Sequence, residues 1–184
     1  GLEGLFVNDD LTVINLECTP SDLGSPLPKA FNFRCPTETL SSIRANGIEV
    51  ANLANNHSGD FGTEALVDGR AQLIAAGIAP VGVGKDYEEA GEAAFFDING
   101  WKVAVLGFGG VVPNSGWLAT ADRPGMRSGD DTEGMVAAVR AAKEAGAEIV
   151  VVSVHWGREL DTTPRAGDIA NARAMIEAGA NVIF

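Results

Sequence analysis

The stretch Leu40-Ser-Ser-Ile-Arg-Ala-Asn46, then Gly47, then Ile48-Glu-Val-Ala-Asn-Leu53, leading into Ala54-Asn-Asn-His57, decides the fold. An amphipathic helical run stops at a glycine and gives way to a β-branched apolar run. Glycine just past a helix adopts the left-handed conformation at little cost, so it makes a good stop. The same order recurs at Ala65–Ala76, Gly77 and Ile78–Val83, at Met135–Ala145, Gly146 and Ile149–Val154, and at Ala170–Ala178, Gly179 and Val182–Phe184. Helices alternating with short, nearly all-apolar strands predict αβ units on a largely parallel sheet. The units differ in length and side chains, so they are not solenoid repeats.

Working outward, Leu11–Glu17 predicts a strand ending in a carboxylate, and Phe31–Arg34 a short strand after the Pro/Gly/Ser-rich loop Pro20–Pro28. Asn99-Gly100 between Ala93–Ile98 and Trp101–Phe108 is a hairpin signal. Helix starts are marked at Asp60 or Thr63, and at Asp130/Asp131. Gly107–Asp130 predicts a long irregular loop, with Trp117 as an anchor packed on the domain. Together these predict an α/β fold with a mixed central sheet and helices on both faces.

The 184 residues are 46% hydrophobic and 21% charged, which excludes a disordered or fibrous chain. They suffice for one domain, residues 1–184. Both ends are expected to be cuts. The chain opens on Gly1-Leu-Glu-Gly without Met, and Val182–Phe184 is a strand with nothing after it. No apolar run approaches the roughly 20 residues that cross a bilayer. With Lys+Arg at 13 and Asp+Glu at 25, the net charge of −12 argues against nucleic acid as a partner. Two cysteines are too few for a disulfide scaffold or structural zinc site. Cys18 and Cys35 flank one loop, and either a bridge in an exported protein or free buried thiols would fit.

Chemistry gathers where strands end. His57 lies just past Val50–Asn56, His155 ends Ile149–Val154, and Glu17 ends Val13–Leu16. In an α/β sheet, ligands bind beyond the carboxyl ends of the strands, so these three groups predict one site. One histidine alone would read as a satisfied core or loop residue; three strand ends together do not. Two asparagines break the ladder at Asn55-Asn56. They make either a simple turn or a place where an amide oxygen holds a hard cation while His57 moves a proton. Asp60 would cap the next helix by default, or else hold the His57 ring. Gly82-Val-Gly84 and Gly107-Phe-Gly-Gly110 complete no nucleotide-binding turn, and Ser153 lacks a nucleophile-elbow context.

Asn15-Leu-Glu17, Phe31-Asn-Phe33, Leu53-Ala-Asn-Asn-His57 with Asp60-Phe-Gly62, Gly77-Ile78, Val81-Gly-Val-Gly84 and Val154-His-Trp-Gly157 resemble the bacterial capsule synthesis protein family. They do so in order from about Leu11 to Phe184. The resemblance implies a layered domain similar to calcineurin-like metallophosphoesterases and a role in capsule or poly-gamma-glutamate synthesis. It implies Asn56 and His155 as metal ligands and His57 as the group facing a substrate phosphate, with Asp60 beside it. Glu17 stands where the metallophosphoesterases carry a metal-bridging Asp. Two further motifs of that pattern are expected before Gly1 and after Phe184. The implied cofactor is one or more divalent ions (Mn, Fe, Zn or Mg). The implied partners are an anionic polymer or phosphoester and other capsule synthesis subunits, at the cell surface or otherwise outside the cytoplasm. The rival expectation is a non-catalytic surface scaffold that binds polymer.

Overall fold

In a computed structural model that describes residues 4–184, β1 (Val13–Asn15), β2 (Val50–Asn52) and β3 (Ala79–Val81) form a parallel sheet in that order. The register pairs Ile14 with Ala51 and Ala51 with Pro80. Helices α1 (Leu40–Ala45) and α2 (Thr63–Ala75) make the crossovers. Both are followed by a glycine at positive φ, Gly47 at 88° and Gly77 at 77°, as the sequence predicts. Leu40, Leu66 and Leu73 from the helices pack with Ala51, Leu53 and Ile78 on the outer face of this sheet.

The next strand, β4 (Val83–Gly84), does not continue β3, although Ile78–Val83 reads as one strand. Gly82, at φ 83°, turns the chain away. β4 instead pairs antiparallel with β7 (Gly125–Met126), inside the stretch expected to be irregular. After α3 (Tyr87–Ala90), β5 (Ala94–Ile98) and β6 (Trp101–Gly109) form the expected hairpin, with Asn99 and Gly100 at φ 51° and 87°. β6 then pairs in parallel with β8 (Ile149–His155), and β8 with β9 (Val182–Ile183). The second sheet is therefore mixed, in the order β5-β6-β8-β9. Helices α4 (Thr132–Glu144) and α5 (Ala166–Ala178) cover its outer face.

The expected central layer is thus two sheets stacked on each other. Side chains of a strand alternate between faces, and here the alternation sorts the residues. Ala104, Leu106, Phe108, Val150, Val152 and Val154 face Met135, Val139 and Met175 of the helices. Val105 and Val151 face Val50, Val81 and Val13 of the first sheet. Burying each such side chain stabilises the fold by about 1.5–3 kcal/mol before entropy is counted. A Cβ on Gly107 would lie 2.6 Å from Asn52 Oδ1 and 2.8 Å from Val81, so a residue without one lets the sheets close here.

Two local expectations are corrected. Phe31–Arg34 is not a strand; it makes one bridge, Thr19 to Arg34, while the Phe33 N–H is taken by the Asp60 carboxylate and the Asn32 and Arg34 side chains bond to carbonyls of residues 21–29. Asp60 caps no helix: α2 begins after Gly62, and the Asp60 carboxylate is engaged elsewhere. Trp117 is the anchor expected, buried against Gly59, where a Cβ would meet its ring at 2.6 Å.

Candidate functional site

β1 and β2 run parallel in one sheet, β8 runs in the other, and their carboxyl ends open onto a common cavity of about 840 Å³. Its walls include Glu17, Lys29, Phe33, Asn56, His57 and His155. The alternation that buries Val152 and Val154 against the helices turns Ser153 and His155 toward the first sheet. Ser153 is engaged by Asn52, whose amide donates to the Ser153 carbonyl (3.2 Å) and Oγ (3.3 Å). Asn52 is wholly buried, and it ties the sheets together directly beneath the cavity. Sequence reading did not single it out; a polar residue in the middle of an apolar strand was the available signal.

The turn after β2 is built by Asn55. Its Oδ1 accepts from the His57 N–H (3.0 Å), and its Nδ2 donates to Asn15 Oδ1 (3.1 Å) and the Leu16 carbonyl (3.0 Å). This fixes the next two side chains. Asn56 Oδ1 lies 2.7 Å from His155 Nε2. His57 presents Nδ1 to Asp60 Oδ2 at 2.7 Å and Nε2 to Glu17 Oε1 at 4.0 Å. Glu17 Oε1 is also 3.9 Å from His155 Nε2. The four strand-end residues of the sequence reading, Glu17, Asn56, His57 and His155, thus converge where the carboxyl ends of the two sheets meet, with Asp60 behind His57.

Asp60 is fully buried and accepts from three donors: His57 Nδ1, the Phe33 N–H (2.7 Å) and Lys29 Nζ (2.5 Å). The Phe33 ring stacks on His57 with centroids 4.0 Å apart and planes at 17°. Held at Nδ1 and on one face, the imidazole has Nε2 free toward the cavity. Burial pushes the His155 pKa below its ordinary 6.5; the Glu17 carboxylate works against that shift and nearby His57 adds to it. Burial thus favours the neutral ring, the form in which imidazole ligates a metal. Among the described residues, no group of three or more His, Cys, Asp and Glu side chains is arranged to hold a metal ion. The donor set here is one carboxylate, one amide oxygen and one imidazole.

Behind Glu17, Cys18 and Cys35 are free thiols in contact with each other. The hydrogen bond from Cys18 lowers the Cys35 pKa to about 6 against the opposing effect of burial, helped by Thr39. The same pairing, with burial and the Cys35 and Glu17 charges, raises Cys18.

An α/β chain of this layering with an Asn-His pair and a lone histidine at adjoining strand ends matches a known family along its length. The profile described as "Bacterial capsule synthesis protein PGA_cap" covers residues 1–184, and the chain belongs to that family. It is 32% identical to the capsule biosynthesis protein CapA of Bacillus anthracis, over 84% of this chain and 38% of that one. It is 33% identical to the "Probable polyglutamine synthesis accessory protein" of Mycobacterium tuberculosis, over 95% of this chain and 48% of that one. With the PGA biosynthesis protein CapA of Bacillus subtilis it shares 31%, over 84% of this chain and 40% of that one. The chain spans less than half the length of these relatives. Among solved structures, the NAD nucleotidase of Haemophilus influenzae overlays on 67% of this chain and 22% of its own, with a TM-score of 0.44 and 16% identity.

Proposed function

We propose that this chain carries a metal-dependent, phosphoesterase-like site of a capsule or poly-gamma-glutamate synthesis protein. The observation that carries the reading is the contact of Asn56 Oδ1 with His155 Nε2 at 2.7 Å, with Glu17 Oε1 3.9 Å from the same nitrogen. Asn56 Oδ1 and His155 Nε2 are close enough to hold one divalent ion between them, and Glu17 Oε1, 3.9 Å from the nitrogen, would be the third donor after a small side-chain shift. Carboxylate, amide and imidazole donors fit Mn, Fe, Zn or Mg. A bound divalent ion supplies an acidified water and a positive charge for phosphoryl oxygens. His57, with its Nδ1–H held by Asp60, would give a proton to the leaving group from Nε2 after that nitrogen has taken one up from solvent, the ring then being doubly protonated. Lys29 and Arg158 stand on the cavity wall beside Glu17 and Glu159, and a bound divalent ion would add the positive charge that suits an anionic polymer or phosphoester. The reading extends to other capsule synthesis subunits as partners and to a location at the cell surface. Among the described residues, no helix is long and apolar enough to cross a membrane.

Metal analysis and a phosphodiester assay on the full-length protein test the reading. His57→Ala lowers turnover and spares metal content, whereas His155→Ala lowers both. Unchanged metal in the His155 variant defeats the ligand assignment. A metal-free, inactive parent favours a scaffold that binds polymer without catalysis. The 184-residue chain alone is expected to bind the ion weakly, because three donors leave the other coordination positions to water.

A further inference from the structure

The loop between Cys18 and Cys35 enters the site through one charged residue. Lys29 Nζ donates to Asp60 Oδ1 (2.5 Å) and to the Asn56 carbonyl (2.8 Å), and lies 5.4 Å from the Trp117 ring centre. Its side chain is a quarter exposed, at the cavity wall, while Asp60 is wholly buried. Around it, the Leu27 N–H donates to the Asp60 carbonyl (2.8 Å) and the Phe33 N–H to Asp60 Oδ2. The loop is thus stitched to residues 56–60 and to little else in the site.

A buried carboxylate shared by an imidazole and an ammonium has one charge for two partners. Lys29 occupies Oδ1, which leaves Oδ2 to the His57 Nδ1–H and fixes the plane of the carboxylate. By gripping the Asn56 carbonyl as well, the same ammonium holds the peptide from which the Asn56 and His57 side chains diverge. We propose that Lys29 is a positioning residue that sets the His57 ring, through Asp60, and the Asn56–His57 peptide in their site geometry. This deepens the reading of His57 as the proton-bearing group and rests on it. Lys29 touches none of the metal-donor atoms proposed above.

The chain has two histidines, so the ring nitrogens are assignable in ¹⁵N-histidine-labelled protein with His155→Asn as the key. Long-range ¹H–¹⁵N correlation at several pH values, without metal, reads the tautomer of His57 on the high-pH plateau, where protonation of the ring no longer contributes. The expected parent spectrum has the proton on Nδ1, held by Asp60. In Lys29→Met the two ring-nitrogen shifts move toward each other as the tautomers mix, and in Lys29→Arg they stay apart. In the hydrolysis assay Lys29→Met lowers kcat by about tenfold to a hundredfold with KM nearly unchanged, the signature of misplacement. A His57 spectrum in Lys29→Met that superimposes on the parent overturns the proposal. Should Lys29→Met not fold, Lys29→Gln, which keeps a donor, takes its place; loss of fold in both assigns Lys29 to stability alone and overturns it too. A parent without hydrolysis defeats the proposed function, while the spectra still decide the role of Lys29.

Discussion

Replacing Asp60 by Asn exchanges one carboxylate oxygen for an NH₂ and tests the anchor of the site. Every neighbour of the carboxylate is a donor: His57 Nδ1, the Phe33 N–H and Lys29 Nζ. An amide has one acceptor oxygen. If that oxygen takes the Oδ2 position, it keeps His57 and Phe33 but turns its NH₂ against the Lys29 ammonium. A hydrogen bond to a charged partner contributes about 1.5–3 kcal/mol, and a buried donor left unpaired costs about 1–3 kcal/mol. Breaking a fully buried pair costs about 3–5 kcal/mol, but Lys29 is a quarter exposed and can turn toward water. The expected loss is therefore about 2–4 kcal/mol. At about 2–4 °C per kcal/mol for a chain of this size, the melting temperature falls by about 4–16 °C. The control is Glu17→Gln: that carboxylate is 39% exposed and its hydrogen bond is with Asn15 at 3.2 Å, so the change stays within about 0.5 kcal/mol. Calorimetry at pH 7 in low and high salt measures both, and the Asp60 difference survives salt because buried pairs are little screened. An Asp60→Asn melt within about 2 °C of the parent would falsify the anchoring argument.

Asp131 caps α4, accepting from the Gly134 N–H at 3.0 Å, and also accepts from the Tyr87 hydroxyl at 2.6 Å. Asp131→Ala should cost about 1–2 kcal/mol by thermal melt. Burial works against its ionised form, but Tyr87, Gly134 and Arg127 together hold its pKa below the ordinary 3.8. A depressed carboxylate contributes stability that is present above 3.8 and lost as pH falls through the folded value. The parent should thus lose this part of its stability below pH 3.8, and Asp131→Ala should not; parallel acid titration curves would contradict this. At the cysteines, brief alkylation of native protein at pH 7 should modify Cys35 ahead of Cys18, because the Cys35 thiolate is the stabilised one. Peptide mass spectrometry reads the order, and preferential labelling of Cys18 would reverse the assignment.

Local signals made the helix stops legible. Gly47, Gly77, Gly146 and Gly179 all sit at positive φ after helices, and a residue that needs the left-handed region advertises it. The Asn99-Gly100 hairpin was readable for the same reason. The carboxyl ends of β1, β2 and β8 were readable because a polar residue interrupts an apolar run there. Long-range pairing was not legible. Nothing local to Ile78–Val83 says that Gly82 turns β4 away to meet Met126, which lies in a stretch read as irregular. For Asp60 the default reading as a cap failed, since Asp near a helix start is usually one, and the alternative of holding the His57 ring is the one the geometry fits. Its real partners, Lys29 and Phe33, lie about thirty residues earlier in a Pro-rich loop with no periodicity to place it.

The division into two sheets explains why the site needs both halves of the chain. Asn56 comes from the first sheet and His155 from the second, 99 residues apart, and the bond between them crosses the sheet–sheet seam. Asn52 crosses the same seam beneath them to Ser153, 101 residues away. In each sheet the strand alternation sends valines into the seam at one level and polar side chains at the next, so apolar packing sets the spacing at which the polar groups meet. Gly107 permits that spacing and Asn52 uses it. Docking of the sheets is thus the step that assembles the cavity: Glu17, Asn56 and His57 on the first sheet have no His155 to face until Val50, Val81 and Val105 are packed together.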